Sequence, residues 1–358
     1  MMSNLGIGCN FDEGGIVMNK RLLRGVAISS VCIISVYFAF FSPSDKSEDL
    51  MKTNDKYVLK ILKDEGYSNK DLYKIKEIDS TDYTVQKIKL DKDNVKTISG
   101  IAFVDSNVIV SDIKNDSLFM YDSDFNLIKS VGKTGNGSLE FISPSDVKFA
   151  NGKLYVLDYG NQRIQILDKN LSHIKDIKFE KPDEFPEFIY TSMAIDKDEN
   201  IYLSGETLFT RSIQKIDSNN KSSYIKDNFS GNLYCYNDIV YAVNFGQFLV
   251  NRSGELSVNT GRNFMLSISK DKLKKEYEFN SPLTPASFCM DEKYTYVMSD
   301  SSLCLMRFDR KTGKYIDNIG KYSEKNMQSM ARMDAKDGYV YTTNASNDVY
   351  IYKKKINS

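Results

Sequence analysis

Short runs of alternating apolar and polar residues recur from about residue 99 to the end of the chain, and turn residues separate them. Residues 99–122 align without a gap on residues 145–168, so that Asp112 falls on Asp158. Alternation of period 2 with β-branched and aromatic residues predicts strands, and the Gly, Asn and Asp clusters predict turns. A repeat of this length with four strands is typical of one blade of a β-propeller.

Further units with the same strand rhythm follow, and six blades account for the chain up to residue 354. The sixth unit, residues 330–355, has only three alternating runs. Another such run, Tyr83–Leu90, stands before the first repeat and has no blade of its own. We therefore predict an all-β, six-bladed β-propeller over residues 83–354, in which this N-terminal strand completes blade 6 and closes the ring. Closure removes the sheet edges that otherwise invite aggregation.

The second unit resembles an NHL repeat, whose usual run is a Gly-rich turn followed by P-x-x-V, G-x-lYVaD and N-x-RIqvf. The matching residues are Gly132, Gly135, Pro144, Val147, Gly152, Tyr155, Asp158, Asn161, Arg163 and Ile164. Blade 1 departs from the pattern, with Ser117 in place of the arginine, and the remaining blades match only in strand rhythm. The resemblance implies the propeller fold far more strongly than any activity, because propellers carry unrelated functions.

An uncharged apolar run, Gly25–Phe41, follows a basic flank that contains Lys20, Arg21 and Arg24. Its length is at the short end of the range for a spanning helix. We predict a transmembrane anchor at 25–41, preceded by a tail at 1–24 for which Met18 is a second candidate start. Residues 42–82 are predicted to be a tether with a short helix.

Two alternatives stay open for the apolar run. A cleaved signal peptide needs small residues at its cleavage site, where this chain has Phe40 and Phe41. A lipoprotein would use Cys32, which Val31 precedes. The basic flank favours a single-pass protein of the cell membrane, with a cytoplasmic N-terminus and an extracytoplasmic propeller.

Charge and reactive residues exclude several classes of function. The 48 basic and 48 acidic residues cancel, whereas binding to nucleic acid needs a basic surface. The one histidine, His173, aligns with an outermost strand, which removes histidine-ligated zinc and Ser-His-Asp chemistry from the central channel. Cys235, Cys289 and Cys304 are interpreted as buried thiols, with a Cys235–Cys289 disulfide as the alternative.

A calcium-dependent hydrolase of the lactonase or phosphotriesterase type, with its site in the channel, needs only oxygen ligands. Candidate oxygens belong to Asp112, Asp158, Asn161, Asn244, Asp300 and Asn344. Several of these residues recur at the end of a second strand, where a turn favours Asp or Asn. We therefore predict turn formation for them and no metal or cofactor, with calcium required only under the hydrolase alternative.

Binding is predicted on the loop face, which carries the connections between second and third strands and the crossings between blades. There the fourth unit has a 19-residue insertion, 245–263, whose sequence fits an extra hairpin. The candidate ligand- or partner-binding residues are Tyr159, Asn161, Arg163, Phe185, Phe188, Phe209, Arg211 and Phe245. Aromatic and arginine side chains on rigid loops suit recognition, although packing of these rings within the loops is the alternative.

The sequence thus predicts a non-catalytic, extracytoplasmic propeller that is tethered to the membrane. Its expected partner is a protein, peptide or glycan at the loop face, and nucleic acid is not expected. The calcium-dependent hydrolase is kept as the alternative.

Overall fold

The computed structural model describes fourteen stretches of the chain. They are residues 83–91, 94–179, 189–206, 211–227, 229, 231–244, 247–250, 256–259, 263–269, 271–279, 285–299, 304–321, 332–343 and 347–355. Within them the strands form six four-stranded antiparallel sheets and one two-stranded sheet. The predicted all-β, six-bladed architecture is confirmed.

Each blade is a meander whose strands run outward from the central channel. Blade 1 is β2 (Ile98–Val104), β3 (Asn107–Asp112), β4 (Ser117–Tyr121) and β5 (Leu127–Gly132), and blade 2 is β6 (Pro144–Ala150), β7 (Lys153–Asp158), β8 (Arg163–Leu167) and β9 (His173–Lys178). Blade 3 is β10 (Ile189–Ile195), β11 (Ile201–Glu206), β12 (Arg211–Ile216) and β13 (Ser222–Asp227). Blade 4 is β14 (Gly231–Tyr236), β15 (Ile239–Asn244), β18 (Phe264–Ser269) and β19 (Lys272–Glu278). Blade 5 is β20 (Pro285–Met290), β21 (Tyr294–Ser299), β22 (Cys304–Asp309) and β23 (Tyr315–Lys321). Blade 6 is β24 (Met333–Lys336), β25 (Tyr339–Thr343), β26 (Asp348–Lys354) and β1 (Tyr83–Lys89).

The core consists of six apolar layers, each held between two neighbouring blades. The layer between blades 2 and 3, for example, packs Tyr155 and Ile164 against Tyr190 and Met193. Alternate side chains of a strand point to opposite faces of its sheet, so each central strand supplies both neighbouring layers. Every blade of the closed ring is apolar on both faces, so no blade can bury its apolar surface without its two neighbours.

The first strand of the propeller closes the ring by pairing with the last. All seven residues of β1 align with β26, from Tyr83 opposite Lys354 to Lys89 opposite Asp348. Just beyond this ladder, the Leu90 amide donates to the Asn347 carbonyl at 2.8 Å, and Asn347 Nδ2 donates back to the Leu90 carbonyl at 2.7 Å. The predicted closure is confirmed.

A buried polar network joins the closing strand to blade 5. The Tyr83 and Tyr296 hydroxyl oxygens are 3.1 Å apart, and the Tyr296 hydroxyl donates to Asp291 Oδ2 at 2.6 Å. Arg307 forms a two-pronged ion pair with Asp317 and lies 5.2 Å from the Tyr83 ring centroid. Because bidentate pairs and ring contacts fix geometry as well as energy, the network sets the position of Tyr83.

The two ends of the channel differ in their connections. The crossing face carries the second-to-third-strand connections and the crossings between blades, and it corresponds to the predicted loop face. The turn face carries the tight turns between first and second strands. On the crossing face, β16 (Gln247–Val250) pairs with β17 (Leu256–Asn259) inside the blade 4 insertion, so the predicted extra hairpin is confirmed.

The predicted tail, anchor and tether, residues 1–82, lie outside the described residues. In the part of the chain that is described, no helix has the length and apolar character needed to cross a membrane.

Deleting residues 1–92 should destabilise the propeller strongly, whereas deleting residues 1–45 should not. The longer deletion removes β1 and Leu90, which exposes the edge of β26 and opens the layers on both sides of blade 6. We expect a melting temperature lower by on the order of 10 °C, or aggregation. Calorimetry and light scattering of both proteins test this, and equal melting and solubility would contradict closure by β1.

Candidate functional site

Three of the eight predicted binding residues, Tyr159, Asn161 and Arg163, lie where the chain passes from β7 to β8. Tyr159–Asn161 forms a short 3₁₀ turn, and Arg163 begins β8. The buried Arg163 guanidinium donates through Nε to Asp158 Oδ2 at 2.8 Å and through Nη1 to Asp176 Oδ2 at 2.8 Å. Its Nη atoms also donate to three backbone carbonyls within residues 136–140. Arg163 therefore fastens the crossing before blade 2 to that blade.

Asn161 and the recurring aspartates serve the same junction. Asn161 Nδ2 donates to the Gly135 carbonyl and to Asp158 Oδ2, both at 2.8 Å, and Asp158 Oδ1 accepts from the Ile142 amide at 2.8 Å. The equivalent Asp112 of blade 1 accepts from backbone amides before β2 and in its own turn. The turn-forming interpretation of Asp112 and Asp158 is confirmed, and ligand contact by Tyr159, Asn161 or Arg163 stays a prediction.

The structure describes less of the other five predicted binding residues. Phe185, Phe188, Phe209 and Phe245 lie outside the described residues, and Arg211 is described only as the first backbone position of β12. Of the candidate calcium ligands, Asp300 and Asn344 also lie outside them. The predicted cluster on the crossing face therefore stays a prediction.

A group of polar residues on the innermost strands is not among the functional residues predicted from the sequence. Residues two apart on a strand share a face. Two such positions on each innermost strand, counting for blade 6 the residue just before β24, form two rings of residues around the channel. The first channel layer, nearer the crossing face, is Gly100, Asp146, Ser192, Asn232, Ser287 and Arg332. The second channel layer is Ala102, Lys148, Ala194, Tyr234, Cys289 and Asp334.

In both layers the large polar residues come from blades 2, 4 and 6, and the small residues come from blades 1, 3 and 5. A narrow channel cannot hold six long side chains at one level, so small residues must separate the large ones. The signal in the sequence is a charged residue between two apolar ones on an innermost strand, as Lys148 stands between Val147 and Phe149 and Asp334 between Met333 and Ala335.

The Arg332 side chain spans the channel at the level of the first channel layer. Its guanidinium extends from blade 6 to the opposite blade, where Nη2 donates to the Thr191 carbonyl at 2.6 Å. Its Nε lies 3.8 Å from Asp146 Oδ1, and the residue is only 5% exposed. Burial lowers the pKa of Arg332, and Asp146 opposes that shift. Arg332 thus fills the channel on the side of the crossing face.

Asp146 lies beside two basic side chains, those of Lys148 and Arg332. Its carboxylate is fully buried and accepts from the Val147 amide at 2.9 Å and from the Met193 amide of blade 3 at 3.1 Å. Lys148 Nζ donates to Asp146 Oδ1 at 3.0 Å. Through these contacts and its approach to Arg332, Asp146 joins blades 2, 3 and 6.

The second channel layer holds a carboxyl group in an unusual environment. Asp334 Oδ1 accepts from the Tyr234 hydroxyl at 2.8 Å and from the Ala335 amide at 2.9 Å. Burial raises the pKa of Asp334, and the positive charge of Lys148 partly opposes this. Burial also raises the pKa of Tyr234 well above its usual value, so its hydroxyl is a donor at neutral pH. Perturbed titrating groups in a cleft are typical of functional sites.

A cavity of about 440 Å³ at the turn face gives access to this layer. Its lining includes Lys148, Tyr234 and Asp334 together with Phe149, Ala194 and Asp238. A smaller depression of about 210 Å³ lies beside it and shares Tyr234. The larger volume is within the range of small-molecule sites, which combine apolar walls with a few placed polar groups.

The cavity has no activated nucleophile among the residues described. Burial raises the pKa of the Cys235 thiol to about 12 and that of the Cys289 thiol well above its usual value, so both are protonated thiols at neutral pH. Neither forms a disulfide. His173 lies on the outermost strand β9, as predicted. Within the described stretches, no three His, Cys, Asp or Glu side chains are grouped closely enough to hold a metal.

The fold defines the class of the protein as a six-bladed β-propeller. A family model, DUF5128, described as a 6-bladed beta-propeller, matches residues 73–216, which include blades 1 and 2 and three strands of blade 3. No curated protein matches the chain in sequence. The description of this family model names a propeller and does not name the NHL repeat. The NHL type therefore stays a prediction from the residues of blade 2.

Solved structures of low sequence identity share the fold. A luciferin-regenerating enzyme is 12% identical with a TM-score of 0.55, covering 77% of this chain and 98% of that chain. A streptogramin B lyase is 11% identical with a TM-score of 0.52, covering 76% and 98%. Virginiamycin B lyase from Staphylococcus aureus is 9% identical with a TM-score of 0.50, covering 76% and 100%. These similarities show the fold alone, and the names of these proteins show that the fold accommodates catalysis.

Replacing Asp334 with asparagine should stabilise the protein more at pH 8 than at pH 4. Because burial raises the folded-state pKa of Asp334, the native protein loses stability as the pH rises from the unfolded value, about 3.9, through the folded value. Asparagine stays neutral and can still accept the two hydrogen bonds through Oδ1. The measurement is the difference in melting temperature between Asp334→Asn and the native protein across this range.

The exposed turn variant Asp124→Asn serves as the control. If the difference in melting temperature between Asp334→Asn and the native protein does not change with pH, or becomes more negative as the pH rises, ionising the Asp334 carboxyl does not lower the stability of the folded protein.

Proposed function

We propose that this propeller binds a small molecule in the second channel layer, with entry from the turn face. One observation carries the proposal: Lys148, Tyr234 and Asp334 come from three alternate blades and line one cavity of about 440 Å³. Their positions on rigid innermost strands fix them more firmly than loops would. Arg332 fills the channel above them, so the ligand enters and leaves by the same opening.

The arrangement favours binding without catalysis. The Tyr234 hydroxyl is bound to Asp334, and Lys148 is paired with Asp146, so each polar group has a protein partner before a ligand arrives. Preorganised donors and acceptors of this kind orient a ligand at low entropic cost. A general acid or base needs a reacting partner in reach, and the protonated thiols of the half-buried Cys235 and the buried Cys289 do not supply an activated nucleophile.

The crossing face is a second candidate site, for a protein, peptide or glycan partner. The observation that favours it is the paired hairpin β16–β17, which extends the connection between β15 and β18 of blade 4. Insertions of this length in compact domains are commonly functional. The aromatic residues predicted for this face would supply the contact.

The propeller is proposed to be extracytoplasmic and tethered by the apolar run at 25–41. The support is the sequence: basic residues precede the run, and a polar segment links it to the propeller. The neutral overall charge supports a ligand other than nucleic acid.

Blocking the cavity should abolish small-molecule binding. Ala150 lines the cavity at the end of β6, whereas Ser106 is exposed in the corresponding turn of blade 1. We expect fragments that bind the native full-length chain in ligand-detected NMR to bind Ala150→Trp at least about tenfold more weakly. Ser106→Trp should bind them normally.

Equal binding to all three proteins, or no fragment binding at all, would refute the channel site. A drop in melting temperature on adding EDTA would instead favour the calcium-dependent hydrolase.

Protease added to intact cells should digest the propeller, because the basic flank keeps only the N-terminal tail in the cytoplasm. Immunoblotting with tags at each terminus tests this: the C-terminal tag should be lost and the N-terminal tag kept. A soluble mature chain that begins after Phe41 would show that the apolar run is a cleaved signal peptide.

A further inference from the structure

Two opposite charges face the channel cavity from different blades. Lys148 comes from blade 2 and Asp334 from blade 6, and both line the cavity. The Lys148 side chain is 20% exposed, and its charge acts on the Asp334 carboxyl through space. The small Ala102 is the residue between them in the second channel layer, so no bulky side chain of that layer separates the two groups.

Each of these groups has hydrogen-bonding capacity left over. An ammonium group has three donors, and Lys148 uses one of them on Asp146 at 3.0 Å. Asp334 accepts both of its hydrogen bonds at Oδ1, and in the described part of the chain no group donates to Oδ2. A ligand can therefore accept a hydrogen bond from Lys148 and donate one to Asp334 without breaking a hydrogen bond within the protein.

The charges of the two channel layers are balanced before a ligand binds, while the cavity is also lined by the half-buried Asp196 and the exposed Lys197 and Asp238. Lys148 and Arg332 carry two positive charges, and Asp146 and Asp334 carry two negative charges when ionised. A lone cation or anion would add net charge next to the partly buried groups of these layers, which is costly. A ligand that carries one charge of each sign keeps the balance and satisfies both free groups.

We infer that the cavity binds a small zwitterion of the size of an amino acid, whose ammonium donates to Asp334 Oδ2 and whose carboxylate accepts from Lys148 Nζ. This inference rests on the proposed function. The ring of Phe149 and the methyl group of Ala194 supply apolar wall for the body of the ligand. The volume of about 440 Å³ leaves room for a side chain beyond the two charged groups.

The test uses calorimetric titration of the full-length chain with the standard L-amino acids at neutral pH. At least one should bind with a dissociation constant below about 10 mM. Its N-acetyl derivative lacks the ammonium and its methyl ester lacks the carboxylate, and each should bind at least about tenfold more weakly.

The native chain should thus prefer a free ammonium to an N-acetyl group and a free carboxylate to an ester. Two variants should each remove one of these preferences. Asp334→Asn should bind the amino acid and its N-acetyl derivative about equally, while still discriminating against the ester. Lys148→Gln, which keeps a donor for Asp146, should lose discrimination against the ester only. Asp124→Asn and Lys175→Met, exposed changes outside the cavity, are the matched controls and should keep both preferences.

The inference is wrong if no amino acid binds, or if both preferences survive in both variants. A fragment that binds the native chain and not Ala150→Trp, without binding of any amino acid, refutes the ligand class and leaves the channel site standing. Binding that Ala150→Trp does not weaken refutes both.

Discussion

The pairing of β1 with β26 joins the two ends of the propeller, and the geometry of the channel depends on it. Blade 6 has three strands from the C-terminal end of the chain and one from residues 83–89, so the ring closes only when a strand separated by more than 250 residues joins it. Blade 6 also supplies Asp334 on β24 and Arg332, which is the residue just before β24. If the ring opened, the residues that cross or line the channel would lose their partners on the other blades.

Closure explains why polar residues can be buried along the axis. Arg332 reaches the Thr191 carbonyl across the channel, and Asp146 ties blade 2 to the Met193 amide of blade 3. Each contact compensates part of the cost of desolvating a charged group. The alternation of large and small residues around the ring lets the charged side chains share one narrow space. The first channel layer therefore acts as a structural cross-link, whereas four residues of the second layer line the cavity: Lys148, Ala194, Tyr234 and Asp334.

Asp334 shows how stability and binding differ at this site. Burial raises its pKa, so keeping it ionised costs the folded protein some stability. Tyr234 and the Ala335 amide hold one oxygen of its carboxyl in place, and the other oxygen has no donor among the residues described. A carboxyl group held in this way suits recognition of a donor on a ligand, because much of the ordering is complete before binding.

Much of the fold follows from the sequence. The repeat places Asp112 on Asp158, the alternating runs give the strands, and the unpaired run at Tyr83–Leu90 predicts the closing strand. These features are local or periodic, since neighbouring residues alone decide strand alternation and turn formation. The extra hairpin of blade 4 and the outer position of His173 follow from the same alignment.

Only the tertiary structure reveals the channel site. Tyr234 and Asp334 are 100 residues apart in sequence, and Arg332 and Thr191 are 141 residues apart, yet each pair is hydrogen-bonded. Alternation tells which residues of a strand share a face, but the closed ring decides which of those faces meet at the axis and which lie between blades. Likewise, the sequence marks Arg163 as a candidate for binding, and only the structure shows that its guanidinium binds the crossing at residues 136–140. The sequence determined the blades and their order, and ring closure decided which side chains meet, because contact across the axis depends on all six blades together.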